Sequence, residues 1–110
     1  TTGQVKGISP MELLLMGVAG CSSIDIVAIL NKQKINPKLL KMNVKGHRNE
    51  NVVPALFHQI DIDIYLEGDF APEKAKRAAE LSFDKYCSVS KTLEPTAKII
   101  HKVFLNGIET

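Results

Sequence analysis

Cys21 and Cys87 are the two residues of this sequence with the most versatile side-chain chemistry. A thiolate can attack a peroxide oxygen to give a sulfenic acid, and a second thiol can capture that acid as a disulfide. Buried free cysteines are also common as small hydrophobic residues, so both interpretations are open at this point. Two cysteines without a CxxC motif provide no disulfide framework, and we expect free thiols in a cytoplasmic protein.

Asp25 lies four residues after Cys21 and therefore on the same face of a predicted helix. We expect it to make a structural hydrogen bond to a neighbouring element or to a partner helix rather than to act in catalysis. Together with Ser22 and Ser23, it would make residues 11–30 costly in lipid. No basic signal-peptide region precedes this stretch, so we expect no membrane association.

The remaining candidate groups favour structural roles. Glu12 and Ser9 form a capping-box pattern at the start of a helix. The three histidines, His47, His58 and His101, fall on separate predicted strands without HxxxH spacing, so we expect no metal site and no cofactor. A net charge of +2, with two tyrosines, four phenylalanines and no tryptophan, does not suit nucleic-acid binding.

The elements that must position these residues predict a single α+β domain over residues 1–110. The first helix begins after Ser9, with Pro10 in its first turn, and runs to about Lys34. Alternating apolar residues predict antiparallel strands over residues 40–48 and 57–68, joined by a hairpin connection at residues 49–54. A second helix is predicted from Pro72 to Tyr86, a short turn or helix at residues 87–93, and a last strand at residues 97–107.

The first helix has no hydrophilic face, because apolar residues occur all round it between residues 11 and 30. A helix of some 24 residues is about 36 Å long, which is about the width of a domain of this size. Three strands and one further helix cannot easily cover it. We therefore expect a homodimer in which a second copy covers part of this helix, with Cys21 at or near the interface.

The segments SPMELLLMGVAGC (residues 9–21) and YCSVSKTL (residues 86–93) resemble the two cysteine motifs of the OsmC/Ohr family, named for osmotic induction and organic hydroperoxide resistance. The resemblance runs from about Gly7 to the C-terminus. It implies an intertwined homodimer with a long, central, buried helix from each chain, backed by antiparallel sheets. It also implies that Cys21 is the peroxidatic cysteine and Cys87 the resolving cysteine. The implied reaction is reduction of an organic hydroperoxide, with a lipoyl-type dithiol as reductant.

An apolar pocket walled by Leu14, Met16, Val18 and Ile24 would suit an alkyl hydroperoxide, but it would also raise the pKa of a thiol. In active members of the family an arginine from N-terminal strands holds the thiolate, and a glutamate directly after the helix-opening proline orients that arginine. Here Met11 follows Pro10, and Arg48 and Arg77 lie in other elements. The usual N-terminal strands have no counterpart before Ser9, so we expect a trimmed or partial form of a longer product. An alternative therefore stays open: a non-catalytic dimeric relative that binds an apolar or electrophilic ligand or senses oxidants.

Overall fold

The computed structural model describes residues 10–48, 51 and 53–110, and this part of the chain has an α+β architecture, as the sequence predicts. The predicted cap Ser9 and residues 49, 50 and 52 of the predicted hairpin connection lie outside the described residues. The elements are, in order, α1 (Pro10–Lys32), β1 (Leu39–Arg48), β2 (Phe57–Glu67), α2 (Pro72–Leu81), a π-helical turn (Ser82–Tyr86), α3 (Ser88–Leu93), β3 (Lys98–Leu105) and β4 (Ile108–Glu109).

The sheet has the strand order β1-β2-β3-β4 and is mixed. β1 and β2 pair antiparallel, with Val44 opposite Ile62, as the alternating pattern predicts. β2 and β3 pair parallel, with Ile62 opposite His101. The expectation of purely antiparallel sheets is therefore wrong for this pair. The two helices between these strands carry the chain back to the end of the sheet at which β2 began, and such a crossover produces a parallel pair.

The core lies between one face of the sheet and the helices. Every second residue of β2, from Ile60 to Leu66, points into it and is buried. From α2 it receives Ala75, Ala78 and Ala79, whose small side chains allow the helix to approach the sheet closely. α1 contributes a single stripe of buried residues spaced four apart: Val18, Ser22, Ile26 and Leu30. This spacing places them on one side of the helix.

The other side of α1 is left uncovered by the part of the chain that the structure describes. The side chains of Leu13, Met16 and Ile24 are 55%, 52% and 73% exposed. By length and composition alone α1 could cross a membrane. Its buried stripe, however, is part of the same hydrophobic core as the sheet, which is the arrangement of a core helix in a globular domain.

The two serines of α1 form hydrogen bonds within the helix itself. Ser22 Oγ donates to the carbonyl of Val18 at 2.6 Å, and Ser23 Oγ donates to the carbonyl of Ala19 at 2.6 Å. A hydroxyl that bonds the carbonyl one turn earlier can be buried without an unpaired polar group. These serines therefore fit an apolar helix at little cost.

α1 ends at Lys32, two residues before its predicted end. Lys34 has a positive φ of 64°. The Ile35 N–H donates to the Leu30 carbonyl at 2.9 Å, and the Lys34 N–H donates to the Asn31 carbonyl at 2.9 Å. These two bonds define a Schellman motif, in which a left-handed residue closes the helix. A glycine usually occupies that position, so the lysine gave no signal of the earlier end.

Candidate functional site

The structure brings together three reactive side chains from two separate parts of the chain. The Sγ atoms of Cys21 and Cys87 and a carboxylate oxygen of Asp25 all lie within 4.8 Å of one another. Cys21 and Asp25 are one helical turn apart on α1, as their spacing predicts. Cys87 belongs to a later part of the chain, which follows β1, β2 and α2. We call these three residues the Cys-Asp-Cys cluster.

Cys87 reaches α1 through the π-helical turn that extends α2. Its N–H donates to the Ser82 carbonyl at 2.6 Å, which spans five residues rather than the usual four. The backbone of Cys87 is then extended, with φ −77° and ψ 101°, so helical geometry stops there as predicted. α3 starts at the next residue, and the N–H of Ser90 in its first turn donates to the Cys87 side chain.

Burial and hydrogen bonding act on the Cys87 thiol in opposite directions. Burial is the largest effect and raises its pKa, because a thiolate is poorly solvated there. Ser90 Oγ and the Ser90 N–H approach the sulfur at 3.1 Å and 3.5 Å and lower the pKa. The neighbouring Cys21 thiol raises it again. The net direction is upward, so Cys87 holds its proton at neutral pH.

Asp25 makes a structural hydrogen bond to a neighbouring element, as predicted from its place in the sequence. Ser82 Oγ, from the π-helical turn, donates to its Oδ2 atom at 3.4 Å. Asp25 also lines a half-open cavity of about 270 Å³ together with the apolar residues Ala28, Ile29 and Leu81 and with Lys32, Gln33 and Tyr86. The cluster therefore lies beside a space large enough for a small organic molecule.

The predicted apolar walls are only partly available for such a molecule. Val18 is fully buried in the core and cannot line an open pocket, so its predicted role is wrong. Leu14, Met16 and Ile24 are exposed on the uncovered side of α1. The walls beside Asp25 come instead from the last turns of α1 and α2, which the sequence did not single out.

The residues considered for thiol activation or metal binding lie elsewhere. Arg48 donates to the Ala55 carbonyl at 2.7 Å, and Arg77 lines a separate cavity with Gln33, beyond the C-terminal end of α1. Glu12 lines a third cavity with Met16 and Met42. None of these three residues belongs to the Cys-Asp-Cys cluster.

The histidines have structural partners. His47 bonds Asp61 at 2.7 Å, and hydrogen bonds from Gln59 first and then His47 lower the pKa of that carboxyl. His101 stacks on Phe83 with ring centroids 4.9 Å apart, and burial lowers its pKa. In the described part of the chain no histidine joins a group of three metal-ligating side chains.

Comparison with known proteins places this geometry in a family. Residues 2–102 match the family of OsmC-like proteins. This chain belongs to that family. Protein YhfA of Escherichia coli K12 is 38% identical over 97 residues, which are 87% of this chain and 72% of YhfA.

Solved structures agree with the assignment. The crystal structure of a hypothetical protein from Aquifex aeolicus VF5 superposes with a TM-score of 0.81 at 35% identity, over 92% of this chain and 77% of that one. The organic hydroperoxide resistance protein OhrB of Bacillus subtilis has a TM-score of 0.70 at 17% identity, over 90% of this chain and 72% of that one. At that identity the likeness to OhrB shows a shared fold. The fold and the family are thus those of OsmC-like proteins.

Proposed function

We propose that the protein is a thiol-dependent peroxidase that reduces organic hydroperoxides through a cycle of sulfenic acid and disulfide. The observation that carries the proposal is the meeting of Cys21 Sγ and Cys87 Sγ within 4.8 Å, although two strands and a helix separate them along the chain. Two thiols at this distance can form a disulfide after a local side-chain movement. A structural role for either cysteine would not require the other.

The difference in exposure of the two thiols supports the proposed order of their reactions. Cys21 is half-buried, whereas Cys87 is fully buried, so a peroxide meets Cys21 first. The Cys21 thiolate attacks the distal peroxide oxygen, a sulfur–oxygen bond forms and the oxygen–oxygen bond breaks. The sulfur is oxidised to a sulfenic acid. The alkoxide that leaves takes a proton and departs as the alcohol.

Cys87 then resolves the sulfenic acid. Its sulfur attacks Cys21 Sγ, a disulfide forms, and the displaced hydroxide leaves as water after taking up the proton of the Cys87 thiol. Because burial raises the pKa of Cys87, this step needs a nearby proton acceptor. The Asp25 carboxylate in the same cluster can accept the proton, directly after a rotation or through one water molecule, and pass it to the departing hydroxide. A dithiol of the lipoyl type would reduce the disulfide and itself become oxidised to a disulfide.

We further propose that the active form is a cytoplasmic homodimer. The uncovered side of α1 carries Leu13, Leu14, Met16 and Ile24, which together form an apolar face next to the helix turn of Cys21. Apolar surface of this kind on a soluble protein is stabilised by association. Free cysteines are kept as thiols in the cytoplasm, as the proposed cycle requires.

A second candidate function is a non-catalytic relative that binds an electrophilic or apolar ligand, or senses oxidants, at the same cysteines. The observation that favours it is the position of Arg48 and Arg77, both away from the cluster. Without a cation beside it, a thiol in partly apolar surroundings ionises poorly. The two candidates predict different results in a single assay.

The assay measures dithiol-dependent consumption of cumene hydroperoxide by the purified protein. We expect Cys21→Ser to abolish it, because a hydroxyl is too weak an acid to supply the nucleophile. Cys87→Ser should allow one turnover and then accumulate sulfinic acid at Cys21, which mass spectrometry detects. Ser88→Ala, an exposed change beside Cys87, is the matched control and should keep wild-type activity.

Substrate size provides a second measure. An apolar cavity favours an alkyl or aryl hydroperoxide over hydrogen peroxide, because burying the organic group contributes free energy that a small polar molecule cannot supply. If wild-type protein leaves every peroxide untouched while Cys21 stays reduced, the peroxidase proposal is wrong and the ligand-binding candidate replaces it.

A further inference from the structure

The Cys-Asp-Cys cluster has the composition of a metal site as well as that of a redox pair. Two sulfur atoms and a carboxylate oxygen converge from α1 and from the residue that follows the π-helical turn. We propose that the reduced cluster binds one Zn²⁺ ion, or a similar thiophilic divalent ion, through Cys21 Sγ, Asp25 and Cys87 Sγ. Water would occupy the fourth position. The sequence predicted no metal site, because two cysteines so far apart along the chain show no ligand spacing.

The distances suit this ion. With zinc–sulfur bonds of about 2.3 Å, two sulfur ligands of a tetrahedral site lie about 3.8 Å apart. All three ligand atoms already lie within 4.8 Å of one another, so side-chain rotation can close the remaining gap. Three protein ligands with a fourth position open to water is a common zinc arrangement.

The ligand types decide the class of metal. Thiolates are soft ligands that select zinc and related ions, whereas Mg²⁺ and Ca²⁺ require oxygen ligands. Binding converts two thiols to thiolates and releases two protons for each ion. The ion then balances negative charges that would otherwise repel one another in a partly buried place. The metal–sulfur bond thereby offsets the cost of ionising the buried Cys87 thiol.

Residues around the cluster orient its ligands. Ser82 Oγ donates to Asp25 Oδ2 at 3.4 Å, and this bond helps to hold the carboxylate beside the two sulfur atoms. Ser90 approaches Cys87 Sγ from both its N–H and its Oγ, and these hydrogen bonds stabilise a thiolate. Such supporting hydrogen bonds are typical of metal sites, where they fix the direction of the ligand atoms. The half-open cavity lined by Asp25 reaches the carboxylate side of the cluster.

The same two thiols cannot serve the metal and the disulfide at once. Oxidation by a hydroperoxide would convert both ligands to a disulfide and release the ion, and a bound ion would protect the thiols from oxidation. This consequence rests on the proposed function. Metal binding by the reduced protein does not, and it can be tested without any peroxide.

The test is an anaerobic titration of the reduced full chain with Co²⁺, followed by displacement with Zn²⁺. We expect one equivalent of Co²⁺ to produce a thiolate-to-cobalt charge-transfer band and Zn²⁺ to remove it. Asp25→Asn should weaken the affinity by at least about tenfold, by comparison with the losses seen when supporting residues of metal sites are changed. Asp84→Asn, an equal charge change at an exposed carboxylate of the π-helical turn, is the matched control and should bind as wild type does.

Two further samples separate this site from adventitious binding. Protein oxidised with diamide, which joins the two cysteines without a peroxide, should not give the charge-transfer band. The double variant Cys21→Ser/Cys87→Ser should not give it either. A wild-type protein that shows no thiolate band overturns the proposal even if every variant fails to fold. A band of equal strength and affinity in Asp25→Asn would remove Asp25 from the ligand set.

Discussion

Cys87 combines complete burial with hydrogen bonds from Ser90, and the balance between them sets the protonation of its thiol. Burial is the stronger effect, so the pKa of the Cys87 thiol in the folded protein lies above the ordinary thiol value of 9.0. A group with a raised folded pKa contributes stability that is complete below its unfolded pKa. That contribution is lost as the pH rises towards the folded pKa.

This linkage gives a prediction at alkaline pH. Above about pH 9 the unfolded chain releases the Cys87 proton before the folded chain does, so the free energy of unfolding falls by up to about 1.4 kcal/mol per pH unit. Cys87→Ser should lack this part of the decline, whereas Ser88→Ala should retain it. Urea unfolding of reduced protein at a fixed concentration, from about pH 8 to about pH 10, measures the difference. Parallel curves for wild type and Cys87→Ser would contradict the prediction.

Among the elements, the pairing of β1 with the start of β2 depends on a glycine: the ring of Phe57 in β2 occupies the space beside Gly46 in β1. Gly46 lies opposite Ile60, and a Cβ atom at position 46 would overlap the ring of Phe57. Phe57 is buried, so its ring has little room to move away. The register of the pair shifts just beyond this point, between His47 and Arg48. Glycine is therefore required here for close packing.

We expect Gly46→Ala to destabilise the fold by about 1–3 kcal/mol, because it overpacks a buried contact. Phe57→Leu, which shortens the opposing side chain, should relieve part of that cost. A double-mutant cycle by urea unfolding should then show the pair to be less destabilised than the sum of the two single changes. Simple additivity would mean that the Phe57 ring is not the obstacle.

Most elements could be predicted from the periodicity of apolar residues and from the residues that begin or end helices and strands. The period of two in β1 and β2, the proline that opens α2 and the stop at Cys87 all predicted what the structure shows. The second helix has its predicted extent, but its last five residues, Ser82–Tyr86, widen to a π-helical turn. A change in hydrogen-bond spacing within a continuous helix leaves no clear pattern in residue types.

Two features of the sheet were missed for different reasons. β4 could have been predicted, because Asn106 and Gly107 form a two-residue turn with positive φ at both positions, and Asn-Gly is a strong hairpin signal. The parallel pairing of β2 and β3 depends on where the chain re-enters the sheet. That is a property of the tertiary structure, and alternation within each strand does not encode it.

The candidate site was predictable in part. The two cysteine motifs pointed to Cys21 and Cys87, and helical spacing placed Asp25 beside Cys21. Spacing along the chain could not show that Cys87 returns to the same turn of α1, because the segment between the cysteines folds into β1, β2 and α2 before it comes back. The support from Ser82 and Ser90 depends on the same tertiary contact and was missed with it.

The molecule as a whole is elongated for its length. The radius of gyration of its Cα atoms is 15.2 Å, against about 13 Å for a compact chain of this size. Leu13, Met16 and Ile24 of α1 are exposed, and no other described element packs over them. A second copy packed on α1 would make the assembly more compact and would bury that face.

We therefore expect Ile24→Lys to shift the protein from dimer to monomer, because a lysine charge would be costly to bury in an apolar interface. Val53→Lys is the matched control, since Val53 is 95% exposed and lies in the connection between β1 and β2. Sedimentation equilibrium at micromolar concentration should show a dimer for wild type and for Val53→Lys. A stable, folded wild-type monomer under these conditions would refute the homodimer proposal.

The meeting of Cys21 and Cys87 also has a topological consequence. A bond between them would close a ring that contains β1, β2 and α2, which supply much of the hydrophobic core. In the chain-entropy description, closing a ring of this length removes enough disorder from the unfolded chain to stabilise the fold by about 4 kcal/mol. Oxidation would then raise the free energy of unfolding of the whole domain, and reduction would lower it. The redox state of one pair of cysteines would thereby set how long the fold survives under proteolysis.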